Sequence, residues 1–265
     1  MAGLFVTLEG CDGIGKGRQA ELLVAELRGR GHDVYATKEP GNGMAGSVLG
    51  PLVRSLVFGA ESKDVRYPQG GPQLFLLADH IDNVARFVPK LRSGKTVVCD
   101  RYADSAWAYA PVHQTPTPSS ILNLWEMYRG PLPDITILLI ARGKVITKEG
   151  NGTIEDIRWV VDRARNRRGE EEGKQGGKAW DGVEALNQVQ RNYLCHLLNE
   201  IRTVIVPVYE QDSVDEVHVR MMTLLDKRLA EKRDPTRLLN LIYRIRQAPI
   251  SYLRGQGSQP QGVTA

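Results

Sequence analysis

The stretch Gly10-Cys11-Asp12-Gly13-Ile14-Gly15-Lys16 lies between the apolar run Leu4-Phe5-Val6-Thr7-Leu8 and a helix-like segment, and it constrains this chain more than any other. Strand, glycine loop, helix is the order that a phosphate-binding P-loop requires. Glycines at 10, 13 and 15 let the backbone curl so that successive N–H groups point inward, and the helix start adds partial positive charge facing the phosphates. Lys16 is placed to reach the outer phosphates. The next position normally carries a Ser or Thr whose hydroxyl helps to hold a metal ion; here it is Gly17.

The rest of the chain reads as strands alternating with helices. Apolar positions at Ala20, Leu22, Leu23, Ala25 and Leu27 predict a helix over 17–30, and residues 33–37 a short strand leading into Lys38-Glu39-Pro40-Gly41. A helix follows over 47–58, a loop over 59–71, and a long helix over 72–92 whose apolar face uses Leu74, Leu77, Ile81, Val84 and Val88. Residues 95–99 read as a strand with Asp100-Arg101-Tyr102 at its end. One or two helices, broken at Pro111 to Pro118, fill 103–130, and the apolar run Ile135–Ile140 suits a strand buried on both faces. Helix is predicted over 153–166, again over 180–200 and 214–231, with a last strand at 203–208. Such alternation implies an α/β fold, a parallel sheet of about five strands wrapped by helices on both faces.

Between these elements Gly169-Glu170-Glu171-Glu172-Gly173-Lys174-Gln175-Gly176-Gly177 is charged, glycine-rich and without apolar residues, so it is expected to be mobile. The net charge of +4 belongs to the C-terminal end: from Asp226 onward eight Lys or Arg face three Asp or Glu, leaving residues 1–225 at about −1. Residues 1–231 are therefore read as one domain and 232–265 as a basic, partly disordered tail. No known nucleic-acid-binding motif accompanies that charge, so a solvated basic end is expected. Cys11, Cys99 and Cys195 have no paired spacing, which fits neither a disulfide framework nor a zinc site and suits a reducing cytoplasm. No apolar run approaches the length needed to cross a bilayer.

Taken together, several of these pieces resemble the thymidylate kinase family of P-loop nucleoside monophosphate kinases. They are Leu8-Glu9-Gly10-Cys11-Asp12-Gly13-Ile14-Gly15-Lys16 with Gln19, the Glu39-Pro40-Gly41 loop, Asp100-Arg101-Tyr102 followed by Ser105 and Tyr109, Pro133-Asp134-Ile135-Thr136, the arginines before the charged segment, and Arg191-Asn192-Tyr193-Leu194. The resemblance covers about residues 3–230. It implies a P-loop kinase fold with a mobile, Arg-rich lid at about 163–180, a homodimer, and transfer of the terminal phosphoryl group of ATP, with magnesium, to a deoxynucleoside monophosphate such as dTMP. In that likeness Gly10, Asp12, Gly13, Ile14, Gly15, Lys16, Gly17 and Arg18 take the ATP side, and Asp100 stands beside the metal. Arg101 bridges the two phosphates. Asp12, Glu39, Pro40, Arg54, Leu76, His80, Ser105, Ala106 and Tyr109 line the acceptor together with Arg101. Ile14 supplies no arginine from the P-loop, so Arg163, Arg165 and Arg168 of the lid are the candidates for neutralising the transition state.

Three positions depart from the family pattern. Gly17 lacks the metal-side hydroxyl. Leu76 and His80 stand where the family carries the Phe and Arg that stack on thymine and hydrogen-bond it, which implies an altered base pocket and a dTMP-related, even modified, pyrimidine acceptor. Ile140 replaces the family's strand-ending Asp. A nucleotide-binding homologue with weakened catalysis is the competing expectation.

Overall fold

A computed structural model describes residues 3–59, 67–68, 70–110, 119–148, 152–172 and 182–233. Its centre is β1 (Phe5–Glu9), every residue of which is buried. Four further strands join it in one sheet: β2 (Val34–Lys38), β3 (Thr96–Asp100), β4 (Ile135–Arg142) and β7 (Thr203–Tyr209), in the order β2-β3-β1-β4-β7. All four neighbouring pairs are parallel, with Val6 opposite both Val98 and Ile135. The expected parallel sheet of about five strands is therefore present, and its carboxyl edge carries the P-loop, Lys38, Asp100 and Arg101.

Because side chains alternate across a strand, Val6 and Leu8 point to the opposite face from Phe5. Val6, Leu8 and Val98 share a core with Leu23 and Leu27 of α1 (Lys16–Gly29) and Met221 and Leu225 of α8 (Val214–Arg233). Phe5, Val97 and Cys99 pack with Leu77 and Phe87 of α3 (Gly71–Arg92) and Ile121 and Trp125 of α5 (Ser119–Met127). The remaining helices are α2 (Gly50–Phe58), α4 (Ala103–Tyr109), α6 (Arg158–Glu172) and α7 (Val183–Leu197). Cys11, Cys99 and Cys195 are free thiols. Among the described residues no helix is long and apolar enough to cross a membrane.

Two expectations are corrected. Residues 153–156, read as the start of a helix, lie in β6 (Gly152–Asp156), which pairs antiparallel with β5 (Lys144–Lys148) in a separate two-stranded sheet. A partner strand rich in β-branched residues, Val145-Ile146-Thr147, supplies the ladder that favours strand here, and helix begins only at Arg158. Gly143 closes this corner, since a Cβ there would lie 2.0 Å from the Asp156 carbonyl oxygen. The helix expected to end at 166 runs on through Glu172 in α6, as the helix propensity of Arg and Glu allows. The rest of the glycine-rich segment, the Pro111 to Pro118 break, and the tail from residue 234 lie outside the described residues.

Candidate active site

The P-loop leaves β1 at Glu9 and enters α1 at Lys16, with Gly15 in the left-handed region at φ 95°. Gly13 is the position where only glycine fits: its φ is 82°, and a Cβ would lie 2.2 Å from the Val160 carbonyl oxygen of α6. The loop is thereby pressed against the helix that carries the candidate lid arginines. Lys16 is buried, and its Nζ donates to the Cys11 carbonyl at 2.6 Å. Burial lowers its ammonium to about 8, with the Arg101 guanidinium adding to the fall. Ile14 is buried in the core. Arg18 is exposed and pairs with Glu21 at 3.0 Å.

Arg101, the residue after β3, has a left-handed backbone at φ 71°, unusual for a non-glycine residue. Its N–H donates to the Leu8 carbonyl at 3.0 Å, which fixes the turn. The guanidinium then reaches back over the P-loop. One terminal nitrogen donates to the Gly10 carbonyl at 3.1 Å, Ser105 Oγ at 3.2 Å and the Tyr193 hydroxyl at 3.4 Å. The other pairs with the Asp12 carboxylate and donates to the Tyr109 hydroxyl at 3.2 Å. The sequence expectation that Arg101, Asp12, Ser105 and Tyr109 share one place thus corresponds to a single hydrogen-bonded cluster.

Beneath Arg101 lies a carboxyl to which the motif reading gave no role. Glu9 is fully buried; its Oε1 accepts from the Tyr102 N–H at 2.8 Å, and its Oε2 accepts from Ser105 Oγ at 2.6 Å and the Tyr193 hydroxyl at 2.9 Å. Burial, with the neighbouring Asp104 carboxylate adding to the rise, pushes Glu9 up to about 8. Ser105 and Tyr193 therefore link a buried acid to the arginine. A charged residue closing an otherwise apolar buried strand was the available signal for Glu9. Tyr193 comes from α7, 184 positions from Glu9, so no local pattern shows that it reaches this acid.

The Glu39–Gly41 loop is held from two helices. Arg54 of α2 donates to the Pro40 carbonyl at 2.7 Å and the Gly41 carbonyl at 2.8 Å. Asp79 of α3 accepts from the Gly41 N–H at 3.1 Å, and Asn83 Nδ2 donates to Glu39 Oε1 at 2.8 Å. His80 does not present a free ring edge. It is fully buried; Nδ1 lies 2.9 Å from Glu39 Oε2, and Nε2 lies 3.1 Å from the carbonyls of both Tyr128 and Arg129. Leu76 and Ala106 are half-buried against the core that contains Leu77 and Trp125.

Among the lid arginines, Arg163 donates to the Glu210 carbonyl at 3.2 Å and lies over the Trp159 ring at 4.7 Å, and Arg165 is exposed. Arg168 belongs to α6, but its side chain lies outside the described residues. Lys38 Nζ is 3.7 Å from Asp100 Oδ2. Asp100 Oδ1 is buried with no hydrogen-bond partner, which suits a carboxylate that takes a cation. A Cβ on Gly17 would sit 3.5 Å from Asp100 Oδ2, so the missing hydroxyl reflects the residue present and not crowding. Among the described residues no three His, Cys, Asp or Glu gather into a metal site of their own, so a divalent ion here would also need ligands from a nucleotide and water.

A sequence model of the thymidylate kinase family matches residues 8–155, which includes the P-loop, the Glu39–Gly41 loop, Asp100 and Arg101. The chain belongs to this family. A thymidylate kinase of Bifidobacterium longum subsp. infantis is 40% identical over 143 residues, covering 52% of this chain and 59% of that protein. One of Clavibacter sepedonicus is 39% identical over 143 residues, covering 52% of this chain and 64% of its own length. The chain thus matches less than two thirds of the length of these family members. The solved thymidylate kinase of Candida albicans superposes with a TM-score of 0.59 at 16% identity, covering 85% of this chain and 92% of its own. That of Ehrlichia chaffeensis gives a TM-score of 0.52 at 23% identity, over 86% and 99%. The sequence match to the family ends at residue 155, inside β6, whereas the shared fold covers far more of the chain.

Proposed function

We propose that this chain transfers the terminal phosphoryl group of ATP to the phosphate of a deoxynucleoside monophosphate, dTMP or a related pyrimidine deoxynucleotide. One observation carries the reading: the Arg101 guanidinium is aimed over the P-loop and gathered with Asp12, Ser105 and Tyr109. The attacking oxygen of an acceptor phosphate is already an anion, so catalysis needs alignment and cancelled charge more than proton transfer. Lys16 and the amides of residues 13–16 bind the ATP phosphates. Arg101 offers two N–H edges across the gap to the acceptor phosphate, a fork that suits phosphate oxygens. Asp12 holds that fork in place until a phosphate competes for it.

Asp100, with its unpartnered buried oxygen, is the residue that fits magnesium, completed by nucleotide phosphates and water in the absence of a hydroxyl at 17. When bound, magnesium neutralises charge developing on the transferred group. Arg163, Arg165 and Arg168 remain the proposed lid contribution, and Arg163 must leave the Glu210 carbonyl to make it. The homodimer and the cytoplasmic setting are proposed from the family likeness.

The reading is tested by coupled ADP-release assays over a panel of deoxynucleoside monophosphates. Turnover on pyrimidine acceptors is expected. Gly17 favours the second reading, a nucleotide-binding homologue that has lost catalysis; ATP binding with no ADP release on any acceptor would establish that reading and remove the first.

A further inference from the structure

His80 is a buried titratable side chain with hydrogen-bond acceptors on both sides of its ring. A backbone carbonyl only accepts, so Nε2, 3.1 Å from two of them, must carry a proton. Nδ1 faces both oxygens of the Glu39 carboxylate, at 2.9 and 3.1 Å. Asn83 Nδ2 donates to that same carboxylate at 2.8 Å. The ring is packed between Tyr102 and Trp125, with centroids at 4.9 and 5.0 Å. Both nitrogens are thus donors, and no edge is left for a ligand.

The neighbours agree from every side. Glu39 comes from the end of β2, and Asp79 and Asn83 from the ring's own helix, with Asp79 turned to the Gly41 N–H. The Arg129 guanidinium turns outward to Glu126 at 3.2 Å, so only its carbonyl meets His80. Tyr102 directs its hydroxyl to that same carbonyl at 2.7 Å. The one charge facing the imidazole is the Glu39 carboxylate. Burial works to lower its basicity, but Glu39 and the two carbonyls outweigh that and raise it above the ordinary histidine value.

We propose that His80 is a positioning residue: an imidazolium clamped between Glu39 and the 128–129 carbonyls, which fixes the Glu39–Gly41 acceptor loop and does not read the acceptor's base. This rests on the acceptor assignment of that loop made above. A neutral ring loses one of its two donors and meets an acceptor with a lone pair. The loop then loses the strut that joins Glu39 through His80 to the segment after α5, while the Asp79 and Asn83 bonds from α3 remain, and acceptor binding weakens while the P-loop is untouched.

The test has two parts. In the [15N]histidine-labelled chain at pH 7, with His80 assigned by its loss in His80→Leu, both ring nitrogens are expected to be protonated and to remain so above pH 6.5. A neutral tautomer at pH 7 overturns the proposal, including the form in which Glu39 carries the proton. In kinetics, His80→Leu is expected to raise KM for dTMP at least tenfold with kcat within threefold of the parent. The parent's KM rises with pH only above 6.5, and the variant's is flat. An unchanged KM, or a loss confined to kcat, also overturns it. The NMR result does not depend on turnover, so an inactive chain would sink the functional reading and leave this one standing.

Discussion

Replacing Arg202 by Met tests how α4, the helix carrying Ser105 and Tyr109, is pinned to the sheet. Arg202 is almost fully buried and donates to Asp104 Oδ2 at 2.8 Å and Oδ1 at 2.9 Å, as well as to Thr136 Oγ1. Asp104, on α4, is equally buried and has one further partner, His196 Nε2 at 3.0 Å. Burial alone would raise the Asp104 carboxyl, but the hydrogen bonds from His196 and Arg202 outweigh it and hold it at about 2. Met fills similar volume and leaves that carboxylate buried with a single partner. Stranding one member of a buried pair costs about 3–5 kcal/mol. For a domain of this size that corresponds to a fall in Tm of roughly 6–20 °C.

The assay is chemical and thermal unfolding followed by tryptophan fluorescence. The double variant Asp104→Leu with Arg202→Met leaves no charge behind and is expected to recover most of the loss. The pH dependence has a definite sign. Because the folded carboxyl titrates below its unfolded value, its contribution is present above about pH 4 and is lost as pH falls toward 2. In Arg202→Met that loss starts at higher pH. A single variant within about 1 kcal/mol of the parent would refute the reasoning, since the lower bound for stranding such a charge is near 3 kcal/mol.

Glu9→Gln tests the buried acid under Arg101: the folded chain keeps a proton to about pH 8 that the unfolded chain releases near 4.5. Parent stability should fall as pH rises through that window, and the variant should be flat there; parallel curves in urea titrations at pH 5 and 8.5 would contradict this. Gly17→Thr should fold normally, because its Cβ meets only Asp100 Oδ2 at an ordinary 3.5 Å. It should lower the magnesium concentration for half-maximal ADP release at least threefold, and an unchanged requirement would show that the hydroxyl is not what the site lacks.

What the sequence revealed and what it hid follow from distance along the chain. The P-loop was legible because strand, glycines and lysine act within a dozen residues, and left-handed angles at Gly13 and Gly15 follow from local geometry. The five-stranded sheet was legible from alternating periodicity. The β5–β6 hairpin was not, because Gly152–Asp156 has one apolar residue, Ile154, and becomes strand only beside its partner. His80 illustrates the same limit in the site. Its place on α3 was readable, but its partners lie 41, 48 and 49 positions away, so nothing local showed that the ring turns inward. Glu9 and Tyr193 are 184 positions apart and meet only in the fold.

Arg101 and the P-loop acting as one phosphate-neutralising centre can be read out in single-turnover phosphoryl transfer from ATP to dTMP by Arg101→Gln. Gln keeps planar polar atoms but removes the charge, and arginines that stabilise phosphoryl-transfer charge are worth roughly 10³–10⁵ in rate. With the thermal melt confirming a folded chain, the account predicts a fall of at least about 10³-fold. A rate within about tenfold of the parent, little more than 1.4 kcal/mol of barrier, would contradict it.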